Sequence, residues 1–531
     1  MNREPWLQKR QSGILLPTFA NPGNDAIGTL NDTYVVAQIF KRFGQTVLQR
    51  LPLGPTSIGD SPFQGPSTLA GNPNLISLEV LVKAGDLSEK DYYDYLKKWE
   101  QFKSENPGRS NQYCEYGFLW EHKLGFDITP GDFNNSVLRK AFQNHTHNQD
   151  QNRISSKESF FAEPDQEKWL NDFAIFMALK QHYGFSKQWN EWNCIDKFRK
   201  SGFGKDVKNE EIEFHKYLQF VFDEQATTLT TYLRSLGLTT IGNFPFSPAY
   251  DSCDVWQNPY QYQLDTNHTM THVAGVPPDY YEPEKGQLWG NPVRRWGIVG
   301  SRDIQEKVFE SFVLTVKRVL RYNDVVERDH SRGYTAYGRT LASERDARNA
   351  RWIPGPGNKL LEYLENILGH RPKIIDENLG VITYRVKKNL RGSGNPGMQV
   401  LVFVYPPDPK NPHLVEKSTE NSVFYTGTQN NEPVLEFLES RSDRELFENY
   451  FSQHSTQPEI HFRAIETVAS SRANLAIYQA QDTLGYGRGT RTNKPGGIGY
   501  WRWRMTDTDL LRFEKEIGPR LLEISKRHNR I

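Results

Sequence analysis

Cysteine is scarce: Cys114, Cys194 and Cys253 are the only three in 531 residues. An odd number of widely separated thiols provides neither a disulfide framework nor the close spacing of a metal ligand set, and it fits a reducing compartment. Net charge is almost missing as well. Lys and Arg total 65 against 64 Asp and Glu, a formal charge of +1, so no broad positive field gathers nucleic acid or an anionic membrane. No stretch approaches the roughly 18 consecutive apolar residues of a membrane span. The start of the chain, Met1-Asn2-Arg3-Glu4-Pro5-Trp6, lacks the apolar segment of a secretory signal. Together these absences point to the cytoplasm. Also absent are a Walker loop, a dinucleotide-binding glycine fingerprint and metal-spaced His/Cys clusters, so no cofactor is expected.

What the chain does have is rings and rhythm. Aromatic residues make up 13% of it, with a mean hydropathy of −0.71. Flat rings can stack on sugars, although filling a large core accounts for most of them. Three times a helical pattern hands over to a short apolar run with polar residues at its end, the rhythm of βα units. Ile212, Phe214, Tyr217, Leu218 and Val221 open a long helix that stops near Gly237, and Thr239-Thr240-Ile241-Gly242-Asn243 follows as a strand. Ile304, Val308, Phe312, Val313 and Val316 precede Asp324-Val325-Val326-Glu327-Arg328-Asp329, and Leu360, Leu361, Leu364 and Leu368 precede Lys373-Ile374-Ile375-Asp376-Glu377. Barrel enzymes place their chemistry at such strand ends. Residues 65–210 break the rhythm: Tyr92, Tyr93, Leu96 and Trp99, then Trp169, Phe173 and Phe176, recur at helical spacing. Residues 1–64 therefore read as the first part of a barrel, 65–210 as a mainly helical insertion and 211–531 as the remainder.

Several short motifs are specific as an ordered set. They run from Leu51-Pro52-Leu53-Gly54-Pro55-Thr56 through Gly59-Asp60-Ser61-Pro62-Phe63 and Ala70-Gly71-Asn72-Pro73 to Ala274-Gly275-Val276-Pro277-Pro278-Asp279-Tyr280. Gly286-Gln287-Leu288-Trp289-Gly290-Asn291-Pro292, Asp329-His330, Glu377-Asn378-Leu379-Gly380, Tyr425-Thr426-Gly427-Thr428 and Trp501-Arg502-Trp503-Arg504 follow. In this order they resemble the 4-α-glucanotransferases called amylomaltases, glycoside hydrolase family 77, from about Gly13 to Arg504. The resemblance implies an α/β fold, a (β/α)₈ barrel with a large helical insertion. It also implies a reaction that cleaves an α-1,4-glucan or maltooligosaccharide and passes the new end to another sugar with retained configuration. Such retention uses two carboxyl groups, one as nucleophile and one as acid then base. The matching motifs put the nucleophile at Asp329 and the acid/base at Glu377. Trp289 and Phe403 are placed to offer apolar faces to glucose, and Gln287, Asp60, Ser61 and His330 to bond its hydroxyls. Phe63 stands where the family usually has a tyrosine. Taken singly, Trp289 fits a packing plug equally well.

Departures gather around the reacting sugar. The family continues Tyr-Thr-Gly-Thr with His-Asp-Asn, the Asp being a third catalytic carboxylate, whereas this chain has Gln429-Asn430-Asn431. An amide at Asn430 can still bond a hydroxyl but brings no fixed negative charge to an oxocarbenium-like transition state. The family's Arg two residues before the nucleophile is Glu327 here, and Asn243 stands where Gly-Asp-x-Pro has its acid. Asn378, Ser331 and Arg294 also differ from the pattern. Exchanging acid for amide keeps shape while discarding charge, as expected of a site that holds sugar with its chemistry lost or strongly reduced. The alternatives are a fully active transferase and a non-catalytic glucan-binding or structural partner protein.

Overall fold

The computed structural model describes residues 4–57, 59–107, 111–126, 135–147, 150–278, 282–297, 302–405 and 408–531. Within them the chain forms strands β1 (Gln11–Leu15), β2 (Val47–Gln49), β3 (Thr239–Phe244), β4 (His272–Val276), β5 (Gln287–Pro292), β6 (Val325–Arg328), β7 (Ala336–Leu341), β8 (Arg351–Pro354), β9 (Ile374–Asp376), β10 (Gly397–Val400), β11 (Ser422–Tyr425) and β12 (Leu475–Gln479). Eight of these close into a parallel barrel in the order β1-β12-β11-β10-β9-β6-β3-β2. Its strands are short and buried along their length, as for β6, β11 and β12. Short apolar runs of this kind suit a parallel sheet covered on its outer face by helices and filled inside by its own side chains. No helix of the described residues is long and apolar enough to cross a membrane.

The three helix-to-strand handovers read from periodicity are present: Asn209–Ser235 precedes β3, Arg302–Tyr322 precedes β6, and Lys359–Leu368 precedes β9. Val308, Phe309, Phe312, Val313 and Val316 of the second helix are buried, an i, i+3/i+4 stripe laid on the barrel. The Asn209–Ser235 helix is buried on more than one side, because the inserted helices cover the flank that the barrel leaves open. Gly237, at φ +67°, ends it in the left-handed conformation that suits glycine.

Between β2 and β3 lie the helices Leu78–Lys83, Glu89–Glu105, Val137–His147, Gln151–Phe161 and Leu170–Tyr183. Their buried rings Tyr95, Trp99, Trp169, Phe173 and Phe176 belong to the same apolar core as the barrel residues Ile14, Val47 and Ile241. Tyr93 instead faces solvent.

Periodicity gave no sign of a second sheet. The strands β5-β4-β7-β8 form an antiparallel sheet in that order. Its first pair comes from the excursion after β3 and its second from the excursion after β6, joined where His272, Val273 and Ala274 face Leu341, Thr340 and Arg339. Excursions from adjacent barrel strands thus build a common roof beside the barrel mouth. Asp279 and Tyr280 lie outside the described residues.

Glycine is required by close approach at one barrel seam. A Cβ on Gly13 would lie within 2.6 Å of the Val47 Cβ and closer still to the Val47 carbonyl oxygen, so β1 and β2 would have to separate. Gly13→Ala is expected to destabilise the protein by about 1–3 kcal/mol, the usual range for overpacking; an unchanged denaturant midpoint would refute this.

Candidate active site

Neighbouring strands β6 and β9 position the two carboxyl groups expected to react. Arg328 and Asp376 are register partners and form a buried ion pair, with Arg328 Nε 2.7 Å and Nη2 2.6 Å from Asp376 Oδ1. Ser393 Oγ and Asn395 Nδ2 donate to the other oxygen, Asp376 Oδ2, at 3.3 and 3.2 Å. A buried charge pair persists when its remaining lone pairs are satisfied in this way. Asp329 and Glu377 are the next residues on each strand, so this pair sets them side by side at the barrel mouth. Alternation along β6 turns Glu327 to the opposite side from Arg328, whose guanidinium lies over the Tyr334 ring.

The turn after β6 is strained in a useful direction. His330 has φ +44° and ψ +52°, a left-handed conformation uncommon outside glycine, and its backbone N–H donates to Glu377 Oε2 at 2.5 Å. Asp329 accepts the backbone N–H groups of Phe246 and His330 and a hydrogen bond from Glu377. Burial raises Asp329 to about 6, with those hydrogen bonds opposing the rise. Glu377 is pushed well above the usual carboxyl range, first by burial and then by Asp329. Both keep a partly accessible face. Near neutrality Asp329 is the anion and Glu377 the acid, the division of labour that separated pKa values create. Burial lowers His330 to about 3, so its imidazole is neutral.

Glu327 points into the barrel. It is 1% exposed and accepts hydrogen bonds from Gln49 Nε2, from Asn243 Nδ2 at 2.7 Å and from the Gln429 side chain. Burial, then the neighbouring Asp329, raises its carboxyl to about 8. Asn243, Glu327 and Gln429, three positions expected from sequence to differ from the family's pattern, therefore lie together.

The other candidate sugar-binding residues fall into separate groups. Trp289 packs edge-to-face on His330, ring centroids 4.7 Å apart, and donates Nε1 to Gln287 at 3.2 Å, so β5 brings both beside Asp329. Phe403 follows β10 in the turn Leu401–Phe403, edge-on to His413. In the loop after β2, Asp60 Oδ2 accepts two hydrogen bonds from Arg502 at 2.9 and 2.7 Å. Ser61 Oγ caps the following turn by accepting from the Phe63 N–H at 3.2 Å, and Phe63 packs on Trp501. The oxygens of Asp60 and Ser61 assigned to sugar thus already have protein donors. Asn430 Oδ1 accepts from Asn493 Nδ2 at 2.6 Å, and its backbone oxygen accepts from Arg491 Nη2 at 2.5 Å.

Sequence reasoning passed over several supports. Asp482, fully buried, accepts from Thr426 Oγ1 at 2.5 Å and from the Val434 N–H at 2.7 Å; it clamps both ends of the loop carrying Gln429 and Asn430. Gln49 holds Glu327, and Arg502 holds Asp60. Arg502 lies within the Trp501-Arg502-Trp503-Arg504 motif and Gln49 just before Leu51-Pro52-Leu53-Gly54-Pro55-Thr56, which was the available signal; Asp482 had none. A cavity of about 420 Å³ lies on one side of Trp289, walled by Trp120, Phe126, Phe185, Met270 and His215. Neither Asp329 nor Glu377 lines it. Among the described residues no group of three or more His, Cys, Asp or Glu is arranged to hold a metal ion.

A closed parallel barrel with its candidate carboxyls at the strand ends defines the (β/α)₈ class of enzyme scaffolds, which hosts many chemistries, and comparison with known proteins narrows it. The profile of the 4-alpha-glucanotransferase family, glycoside hydrolase family 77, matches residues 16–509. The 4-alpha-glucanotransferase of Clostridium butyricum is 34% identical, covering 96% of this chain and 98% of its own. That of Thermus thermophilus is 32% identical, covering 98% and 99%. Amylomaltase from Streptococcus agalactiae, solved in complex with acarbose, superposes with a TM-score of 0.86 at 29% identity, over 98% of this chain and all of that one. The chain belongs to the 4-alpha-glucanotransferase family.

Removing one partner of the Arg328–Asp376 pair leaves a buried charge uncompensated. Arg328→Met is expected to lower the unfolding free energy by about 3–5 kcal/mol, read from urea denaturation; a change below 1 kcal/mol would show that the pair does not hold the strands.

Proposed function

We propose that this protein is a retaining 4-α-glucanotransferase acting on α-1,4-glucans, slower than it would be with an acid at position 430. The observation that carries the reading is the juxtaposition of Asp329 and Glu377 just beyond register partners on adjacent strands, with Glu377 holding its proton more tightly than Asp329, as retention requires of its acid and its nucleophile. In the free site the Glu377 proton bridges to Asp329. A bound glucan takes the place between them, Asp329 attacks the anomeric carbon, and Glu377 passes its proton to the departing glycosidic oxygen. The Glu377 carboxylate then removes the proton of an incoming sugar hydroxyl as that oxygen displaces Asp329. Two inversions return the original configuration. The His330 N–H on Glu377 Oε2 supports the carboxylate that forms midway, and the Trp289–His330 contact supplies an apolar wall beside the sugar.

The reduced rate follows from Asn430. Its side chain is fixed by Asn493 and offers an amide where a carboxylate would meet developing positive charge. Loss of one preorganised electrostatic group costs on the order of 3–4 kcal/mol, a hundred- to thousand-fold in rate. Glucan binding without turnover is the second reading, favoured by the same amide.

Incubation with maltotriose is expected to give glucose and longer oligomers, with Asp329→Ala reducing the rate about ten-thousand-fold or more. Products absent at high enzyme concentration, together with calorimetric binding of maltoheptaose, would replace transfer by the binding reading. Asn430→Asp retains an acceptor for Asn493 and is expected to raise kcat about a hundred-fold or more; no gain would place the limitation elsewhere. Because attack needs the Asp329 anion, kcat/KM should fall as pH drops through about 6, and a profile flat down to pH 4.5 would contradict that assignment.

A further inference from the structure

Glu327 neighbours the reactive pair without a part in the steps above. Among its described partners are Gln49 from β2, Asn243 from β3 and Gln429 from the loop after β11, all neutral amides. The charged and titratable groups around it can be taken strand by strand. On β6, Arg328 turns away to Asp376, while Asp329 lies beside Glu327. Beyond β9, Glu377 is close enough to feel its charge, and on β11 so is the buried Tyr425 phenol. Arg50, next to Gln49, gives its guanidinium to the Tyr322 carbonyl and Asn323. Strand β3 has no titratable residue.

Glu327 and Asp329 are thus neighbouring carboxyls deep in the protein, and no cation acts on Glu327 from among the described residues. Two anions so placed lose hydration and repel one another, so one of them keeps a proton. Asp329 has the better claim to the charge. It has an accessible face, whereas Glu327 is enclosed. The amide oxygens Gln49 Oε1, Asn243 Oδ1 and Gln429 Oε1 are all buried without a donor. A half-turn of any of these amides presents an acceptor to a Glu327 O–H.

We propose that Glu327 is a positioning residue that works with its proton on, leaving Asp329 as the single anion of the site, and that its ionisation shuts the reaction down at alkaline pH. The activity test rests on the function proposed above; the stability test does not. Glu327→Gln keeps the shape and cannot ionise. For the unaltered protein kcat/KM is expected to decline about tenfold per pH unit above about 8. The variant should match it within about threefold at pH 7, share its acid limb near 6, and stay active to higher pH until Glu377 titrates. An unshifted alkaline limb would overturn the proposal. So would a folded variant that has lost more than a hundred-fold at pH 7, since the carboxyl itself would then be needed.

Linkage gives an independent readout. Glu327 rises from its ordinary 4.5 to about 8 on folding, so between those values the folded protein holds a proton that the unfolded chain releases. Its contribution to stability is complete below 4.5, is lost as pH rises to about 8, and changes no further above that. Melting temperatures of the two proteins should therefore diverge in favour of Glu327→Gln between pH 5 and 8 and then run parallel. A constant difference across this range would overturn the proposal even if neither protein turns over maltotriose. Should the variant fail to fold, infrared difference spectra of the unaltered protein decide. Loss of a buried protonated-carboxyl band between pH 7 and 9 is expected, and an unchanged spectrum would refute the idea.

Discussion

The Arg328–Asp376 ion pair is the constraint on which the site depends. It joins β6 to β9 at the last register position before each strand delivers a carboxyl to the barrel mouth. A parallel ladder offers no side-chain-specific preference for one register over a slip of two residues. A paired guanidinium and carboxylate, both buried, does, because any slip strands a charge in the interior. Asp329 and Glu377 share a hydrogen bond because their predecessors are locked together. The strained His330 turn completes the arrangement by aiming a backbone N–H at Glu377.

Beside this fixed pair lie three of the positions at which the sequence is expected to break the family's pattern. Read one at a time, Asn243, Glu327 and Gln429 look like separate losses of charge. In space they lie together, Glu327 receiving the Asn243 amide at 2.7 Å with the Gln429 side chain beside it. A carboxyl at 327 beside a carboxylate at 243 would be two acids in contact; with an amide at 243 the contact becomes a donor meeting an acceptor. Asn430 stands apart, held by Asn493 and Arg491.

Much of the barrel was legible because long amphipathic helices carry a strong signal: the stripes of Asn209–Ser235, Arg302–Tyr322 and Lys359–Leu368 fix where each following strand begins. The roof was not legible. Strand β5 is interrupted by Gly290 and only partly buried, and β8 is short and half-exposed, so neither shows the alternation that identifies a strand. For the site, the motifs put Asp329 and Glu377 at the ends of two separate strands, and only the barrel order makes those strands neighbours. Whether Glu327 faced in or out was undecidable from sequence, since it depends on the pleat of β6 relative to the barrel axis. The partners of Asp60 and Arg328 were equally hidden. They lie 442 and 48 residues away, and a single sequence has no signal for such pairings.

The roof sheet has a consequence for assembly. Its two halves come from segments separated by the Arg302–Tyr322 helix and β6, and they pair along β4 and β7, with Ala347 N–H also reaching the Lys285 carbonyl at 2.9 Å. Neither hairpin has enough partners to persist alone in water. Their union must wait until β3 and β6 lie side by side, since only then is the entropy of closing so long an intervening segment already spent. Gln287 and Trp289 therefore reach their places late, after the barrel wall beneath them has formed. During refolding, burial of the barrel core should run ahead of the docking of the two roof hairpins, and a molecule caught between the two would be compact yet without its roof.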